Sequence, residues 1–290
     1  PLAANAVVFA DTGSKGETME SFVLQQGKNG IWYGTFPALT QAGIRHGVST
    51  RLKGVSDPPF RSLNLGLHTG DNKDMVIHNR QSFAAAVGID FSSIVTAEQI
   101  HGVKIAVVDR EQAGRGAIVY EEAVAGVDGL ITNCPDLPLM LFFADCVPVL
   151  IADPVQRVVG ISHAGWKGTT AKIAAQTVLK MAERFHTTPS DCIAAIGPSI
   201  GSCCYEVDQP VIDKLRAELP YWQSLISGER QNNKWMLDLW KANQEQLLAV
   251  GVRADNIHIS QVCTACSDEL FFSYRSEHGC TGRMGAVIQL

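Results

Sequence analysis

Two rhythms of apolar and polar positions alternate along this chain. Short runs rich in β-branched and aromatic residues are bounded by Gly, Pro, Asn and Asp, and segments with a period near four lie between them. "SFVLQQ" and "IWYGTF" flank Gly-Lys-Asn-Gly, which predicts a hairpin. "MVIHNRQSFAAAVG" reads as a helix stopped by Gly88. "LMLFF", "VPVLIA", "RVVGIS" and "CIAAIGP" are apolar almost throughout, the pattern of strands covered on both faces. Ile173, Thr177, Met181 and Phe185 recur at helical spacing with Lys and Glu between them, predicting a helix from about Thr169 to His186. Another helix is expected from Asp238, its N-cap, to Val250, with Trp240, Leu247 and Leu248 on one face. "IVTAEQ", "VKIAVVD", "NIHISQV", "FFSY" and "RMGAVIQL" complete the expected strands. The segment "GIRHGVSTRLKGVSDPPFRSLNLGLHTGDN" is loop-rich, and long irregular segments of this kind tend to carry function. Strands and helices mix without strict alternation, which favours an α+β fold over a doubly wound sheet.

Composition narrows the function classes. With 290 residues, 46% hydrophobic and 18% charged, the chain can bury a large core. A net charge of -5 without any basic run excludes a nucleic-acid partner, which needs a basic face for phosphates. No apolar stretch reaches the roughly 20 residues that span a bilayer. The longest, "LPLMLFFADCVPVLIADP", is broken by Asp and Pro, so no membrane partner is expected. Eight cysteines are too sparse for a disulfide framework at this length, and the N-terminal residues lack a signal-peptide pattern. The thiols therefore read as reduced and the compartment as cytoplasmic. Residues 1–18 read as a leader or extension, disordered or peripheral, and residues 19–290 as one catalytic domain.

Chemistry concentrates where apolar runs break. "QIHG", "FADCVP" and "SHAGW" each deliver one metal-capable side chain, His101, Cys146 or His163, beside Gly or Pro. Two imidazoles and a thiolate suit Zn²⁺, and three protein ligands leave a fourth position open, as in catalytic sites. Copper could take the same donors, but zinc is the better match. From spacing alone, three separate core residues are the simpler reading. The histidines stand at 46, 68, 78, 101, 163, 186, 258 and 278. None is two residues from another, so the His-x-His pairs of multicopper oxidases and of barrel-type adenosine deaminases are absent. The His-x-Glu of cytidine-deaminase-type enzymes is absent as well. Two other readings use the same residues. Cys146 could be a nucleophile with His101 or His163 as its base, or the trio could stabilise a non-catalytic binding protein.

The ordered motifs "HGVSTR", "SLNLG", "GD", "NR", "QIHG", "ADCVPVLIADP", "HAGWKGT", "IGPSIGSCCYEV" and "FFSYR…TGR" closely resemble those of the YfiH family, from about Phe22 to the C-terminus. The resemblance implies a single α+β domain of mixed sheets flanked by helices, an α/β/β/α-type sandwich. It implies a zinc held by His101, Cys146 and His163, with Asn64 and Arg80 in the pocket. The implied activity is phosphorolysis of adenosine, inosine and methylthioadenosine to base and ribose 1-phosphate, together with deamination of adenosine. Purine nucleosides and phosphate are then the partners. The catalytic candidates are Asn64, Arg80, His101 and Cys146. His46, in "HGVSTR", is expected to approach the substrate. Lys167, beside a helix start, is expected to help hold phosphate. Some resemblance also points to amide hydrolysis on cell-wall precursors.

Several residues are read more plainly. Cys203, Cys204, Cys263 and Cys266 could make a second metal site or a disulfide, although buried thiols are the simpler expectation. Asp71 is read as a turn or cap residue. Asp145 either orients a ligand histidine or points away from it, because neighbours on a strand face opposite sides.

Overall fold

Strand alternation sorts the apolar side chains into three layers of core. Leu139, Leu141 and Phe143 face one way, together with Met284, Ala286 and Ile288 of the neighbouring strand. They meet Leu150, Ala152, Val159 and Ile161 of a second sheet, so one core lies between two sheets. The intervening Met140, Phe142 and Val287 face outward and pack on Phe83 and Ala84 of the Lys73–Val87 helix. On the far side, Val147, Val149, Ile151 and Val158 pack against the helices Ile173–Phe185, Gln209–Glu218 and Leu239–Ala249. The result is the expected helix–sheet–sheet–helix sandwich. Each fully buried Leu, Ile, Val or Phe contributes about 1.5–3 kcal/mol. Central strands covered on both faces explain the unbroken apolar runs.

The computed structural model describes residues 7–10, 20–230 and 233–290. Of the expected leader, residues 1–6 and 11–18 lie outside the described residues, while Val7–Ala10 pairs antiparallel with Glu20–Gln26 as an edge strand. The first sheet runs Val7–Ala10, Glu20–Gln26, Trp32–Thr35, Arg45–Ser49, Met284–Gln289, Leu139–Phe143, Val95–Thr96. The second runs Ile257–Ile259, Ile193–Ile196, Val147–Asp153, Val158–Ala164, Gly129–Thr132, Ile105–Val107. A three-stranded sheet of Glu206–Val207, Lys234–Leu237 and Ile226–Arg230 lies apart from both. Among the described residues no helix is long and apolar enough to cross a membrane.

Local signals act as expected at most boundaries. The hairpin closes with Gln26 opposite Trp32, and Gly30 takes the left-handed conformation at φ 85°. The Lys73–Val87 helix is capped by Asn72, which accepts from the Asp74 and Met75 amides, and ends at Gly88 with φ 80°. Asp238 accepts from the Lys241 amide at the start of the last helix. Leu247 is buried there, and Trp240 and Leu248 pack on the same core.

Two expectations fail for tertiary reasons. The single helix expected from about Thr169 to His186 is instead two, Trp166–Thr170 and Ile173–Phe185, joined through Lys172 at φ 65°. The Thr169 carbonyl, which a continuing helix would need, accepts from Gln246 Nε2 at 2.7 Å. The Thr169 and Thr170 hydroxyls bond back to the carbonyls of Ala164, Trp166 and Lys167, a competition typical of threonine in helices. "FFSY" forms turns rather than a strand. Phe271 and Phe272 are both fully buried there, with the Phe271 amide bonded to the Ser267 carbonyl in a turn rather than to a neighbouring strand.

Candidate metal centre and substrate cavity

Register brings the trio together. The antiparallel strands Val147–Asp153 and Val158–Ala164 pair His163 with Pro148 and Ala164 with Val147. Cys146 and Gly165 therefore leave the same end of the sheet side by side. A Cβ on Gly165 would lie 2.9 Å from Cys146 Sγ and 3.3 Å from His101 Cδ2, so only glycine leaves room for the thiol and the ring. His101 arrives on the loop before Ile105–Val107, with φ 59°. Its ring centroid lies 4.8 Å from that of His163. The candidate ligand atoms of His101, Cys146 and His163 all lie within 4.8 Å of one another.

Asp128, which the sequence pattern did not single out, organises this centre. It is fully buried just before the Gly129–Thr132 strand. Its Oδ1 lies 2.9 Å from His163 Nδ1 and accepts from the His101 amide at 2.9 Å. Its Oδ2 accepts from the amides of Ile100 and Gly102 at 3.2 and 2.6 Å. One carboxylate thus shapes the His101 loop and, by engaging Nδ1, leaves Nε2 of His163 to face the trio. Burial pushes the Asp128 carboxyl up, but the hydrogen bonds from His163 and the loop amides outweigh it and keep the pKa low.

Without an ion, the electrostatics of the trio favour a thiolate–imidazolium pair between Cys146 and His163, and a metal would displace the imidazolium proton on binding. Burial pushes the Cys146 thiol up, yet the charge of His163 and hydrogen bonds from both histidines outweigh it and bring the pKa down to about 6. Burial lowers His163, but the Cys146 thiolate and Asp128 outweigh it and raise that pKa to about 9. A thiolate, two imidazoles and a carboxylate behind one of them are a donor set that fits a metal. A pH prediction follows for chelator-treated protein. A depressed thiol pKa keeps Cys146 ionised above about 6. Its alkylation by iodoacetamide should therefore be half-maximal near that pH rather than near the ordinary ~8.5. A midpoint at the ordinary value would remove the ion pair with His163.

The trio opens into a cavity of about 600 Å³. Its walls carry the cations Lys167, Arg275 and Arg283 and the aromatics Tyr120, Phe142, Trp166, Tyr205 and Tyr274. His68 also lines it, with its ring 5.5 Å from Tyr120. Burial first, then the charges of Arg283 and Arg80, lower the His68 pKa to about 4, so this imidazole is neutral near pH 7. Lys167 stands exposed at the rim, its ammonium 5.7 Å from the Trp166 ring centre. The helix it belongs to is only Trp166–Thr170.

Other expected site residues lie behind the wall. His46 does not reach the cavity. It is buried in the first sheet, where Nε2 accepts from the Phe36 amide at 2.8 Å and Nδ1 faces the Ile44 carbonyl. Another histidine of the same loop-rich segment, His68, lines the cavity instead. Arg80 is 1% exposed and lies with its guanidinium 4.3 Å over the Phe142 ring. It donates to the carbonyls of Leu65, Gly116 and Ala117 at 2.7, 2.7 and 2.8 Å, which ties three distant segments together. Asn64 is fully buried, donates to Thr69 and Asp71, and accepts from the amides of Gly66 and Arg283. It touches the cavity only by placing the Arg283 backbone. Asp71 is a turn residue that also accepts from the Asn72 amide. Asp145, at φ 79°, turns away from the histidines and accepts from Thr264 Oγ1 and the Arg275 amide at 2.6 and 2.7 Å.

Comparison with known proteins agrees with this geometry. Residues 45–290 match the family described as "Multi-copper polyphenol oxidoreductase laccase". The chain is 44% identical over 247 residues to "Purine nucleoside phosphorylase YlmD" of Geobacillus stearothermophilus, covering 85% of this chain and 90% of that one. It is 33% identical over 216 residues to "Adenosine deaminase RL5" of an unknown prokaryotic organism, covering 74% and 82%. The crystal structure of YlmD from Geobacillus stearothermophilus superposes with a TM-score of 0.86 at 43% identity, covering 92% of this chain and 98% of that one. With the sandwich, the ordered motifs and the match over residues 45–290 in agreement, this chain belongs to the YfiH-like family.

Proposed function

We propose that the chain is a zinc-dependent purine nucleoside enzyme. On this reading it splits adenosine, inosine and methylthioadenosine with phosphate and also deaminates adenosine. The observation that carries the reading is the cavity itself: a His101–Cys146–His163 centre faces a space walled by five aromatic rings and three cations. The names of relatives, purine nucleoside phosphorylase and adenosine deaminase, support the same reading.

Each part of the substrate has a matching surface. A purine is flat and apolar on its faces, and Tyr120, Phe142, Trp166, Tyr205 and Tyr274 offer faces and edges for it. Phosphate carries charge that Lys167, Arg275 and Arg283 can neutralise. Neutral His68 can donate or accept one hydrogen bond to the base or a ribose hydroxyl. In phosphorolysis a phosphate oxygen bonds to the sugar carbon while the bond to the base nitrogen breaks, and the base leaves with that electron pair and gains a proton. In deamination a water oxygen bonds to C6 and ammonia leaves. The metal would supply Lewis-acid stabilisation of negative charge on an oxygen or on the leaving base. Asp128, bonded to Nδ1, keeps His163 in one tautomer throughout.

Purified protein is incubated with each nucleoside, with and without phosphate, and products are separated by chromatography. Base release that requires phosphate, and inosine formed from adenosine without it, are expected. Metal analysis of the same sample decides between zinc and copper. Turnover of amides but no nucleoside by metal-free protein would move the reading to Cys146 as a nucleophile. Lys167→Ala is expected to raise the KM for phosphate about tenfold with little change in kcat, the loss of one charge-assisted contact. An unchanged KM would return Lys167 to the solvated surface.

A further inference from the structure

We propose that Cys203, Cys204, Cys263 and Cys266 form a second, structural metal site for one Zn²⁺-type ion, which clamps two loops of the cavity wall. This inference does not depend on which substrate the cavity takes. The lone Cys263-x-x-Cys266 spacing is weak by itself, but the fold supplies a second pair. All four sulfurs lie within 4.8 Å of one another. Cys266 Sγ is 3.4 Å from both Cys203 Sγ and Cys204 Sγ. Four thiolates arranged tetrahedrally around zinc lie about 3.8 Å apart, so little movement is needed to close on an ion. All four are free cysteines.

The surroundings are those of a thiolate ligand set. Cys263 Sγ accepts from the Gly201 amide at 3.2 Å, and the Cys266 amide bonds to the same sulfur. Such N–H···S bonds stabilise a metal-bound thiolate and fix its direction. Gly201 is required where the loops meet. A Cβ there would lie 2.9 Å from Trp240, 3.2 Å from Cys263 Cβ and 3.3 Å from Cys203 Sγ. Ser199 bridges Cys263, and the Thr264 amide donates to the Ser199 carbonyl at 3.0 Å.

A closed four-sulfur set leaves no open position for substrate, so its role is structural. Its two loops hold the cavity. Ile200 and Tyr205 flank the Cys203–Cys204 turn, and both line the cavity. Thr264, between the other two cysteines, donates to Asp145, the neighbour of Cys146. The Arg275 guanidinium donates to the carbonyls of Cys204 and Glu206 at 3.4 and 3.0 Å. An ion binding all four sulfurs would fix Tyr205, Arg275 and the turn before Cys146 in one arrangement.

The full chain is purified without added metal and its zinc measured by mass spectrometry. About two ions per chain are expected in the wild type and about one in Cys146→Ala. About one is also expected in the Cys203→Ser/Cys266→Ser double variant, with a lower Tm. Because that double variant could fail to fold, Cys146→Ala is also reconstituted with Co²⁺, and the intense charge-transfer absorption of a four-thiolate tetrahedral site is expected. A metal-free Cys146→Ala protein without that absorption overturns the proposal. So does a disulfide between any two of the four cysteines, mapped by peptide mass spectrometry of unreduced protein, because it would occupy the cluster.

Discussion

Cys146→Ala is expected to lose the metal held with His101 and His163 and to lower nucleoside turnover about a thousandfold. The substitution removes the only sulfur donor of the trio, and the two imidazoles that remain are a weaker site. Loss of Lewis-acid stabilisation is worth several kcal/mol in the transition state, which sets the magnitude. The fold should persist, because Cys146 sits at a sheet end and partly faces the cavity. Metal content, circular dichroism and kcat/KM measured on one preparation separate these effects. Retained turnover with metal lost would show that the chemistry does not use the ion. Retained metal would show that Cys146 is not a ligand.

Arg80→Met is expected to destabilise the protein by about 3–5 kcal/mol, lowering Tm by about 10 °C. Methionine keeps much of the volume but leaves the carbonyls of Leu65, Gly116 and Ala117 without their donor in a buried place. It also removes the cation from the face of Phe142. Because Phe142 lines the cavity, turnover should fall moderately, through disorder of the wall rather than loss of a substrate contact. Thermal unfolding and kinetics together decide this. Unchanged Tm with abolished turnover would place Arg80 back in the substrate site.

The sandwich was readable because its signals are local. Short continuous runs of Leu, Val, Ile and Phe bounded by Asp, Gly or Pro fit strands by their length, and a strand apolar on both sides must be covered on both sides. The grouping of His101, Cys146 and His163, which could hold a metal ion, was partly foreshadowed by the sequence. Cys146 and His163 stand at the end of two paired apolar strands, where a side chain is held rigidly, whereas His101 comes from a loop. Only the family resemblance joined the three into one centre.

The neighbours of that centre were less readable. Asp128 stands in "GVDGL", a spacing that resembles an ordinary turn. Its importance comes from pairing Gly129 with Ser162, which places it beside His163. Asn64 and Arg80 sit in the expected motifs, but motif membership does not say which way a side chain points. Both turn inward to satisfy backbone groups, while Arg283, Tyr274 and His68 from other segments fill the cavity wall.

By itself, then, the chain's order of residues determined the hairpin, the capped helices and the doubly covered strands, and it marked His101, Cys146 and His163 as candidates. Only the tertiary structure decided that His68 rather than His46 meets the cavity, that the helix ends at Thr170 with the Thr169 carbonyl held by Gln246, and that four cysteines from two loops share one space. Those outcomes depend on which distant segments arrive side by side. Hydrogen-bond partners and cavities are properties of that arrangement, and no local pattern encodes them.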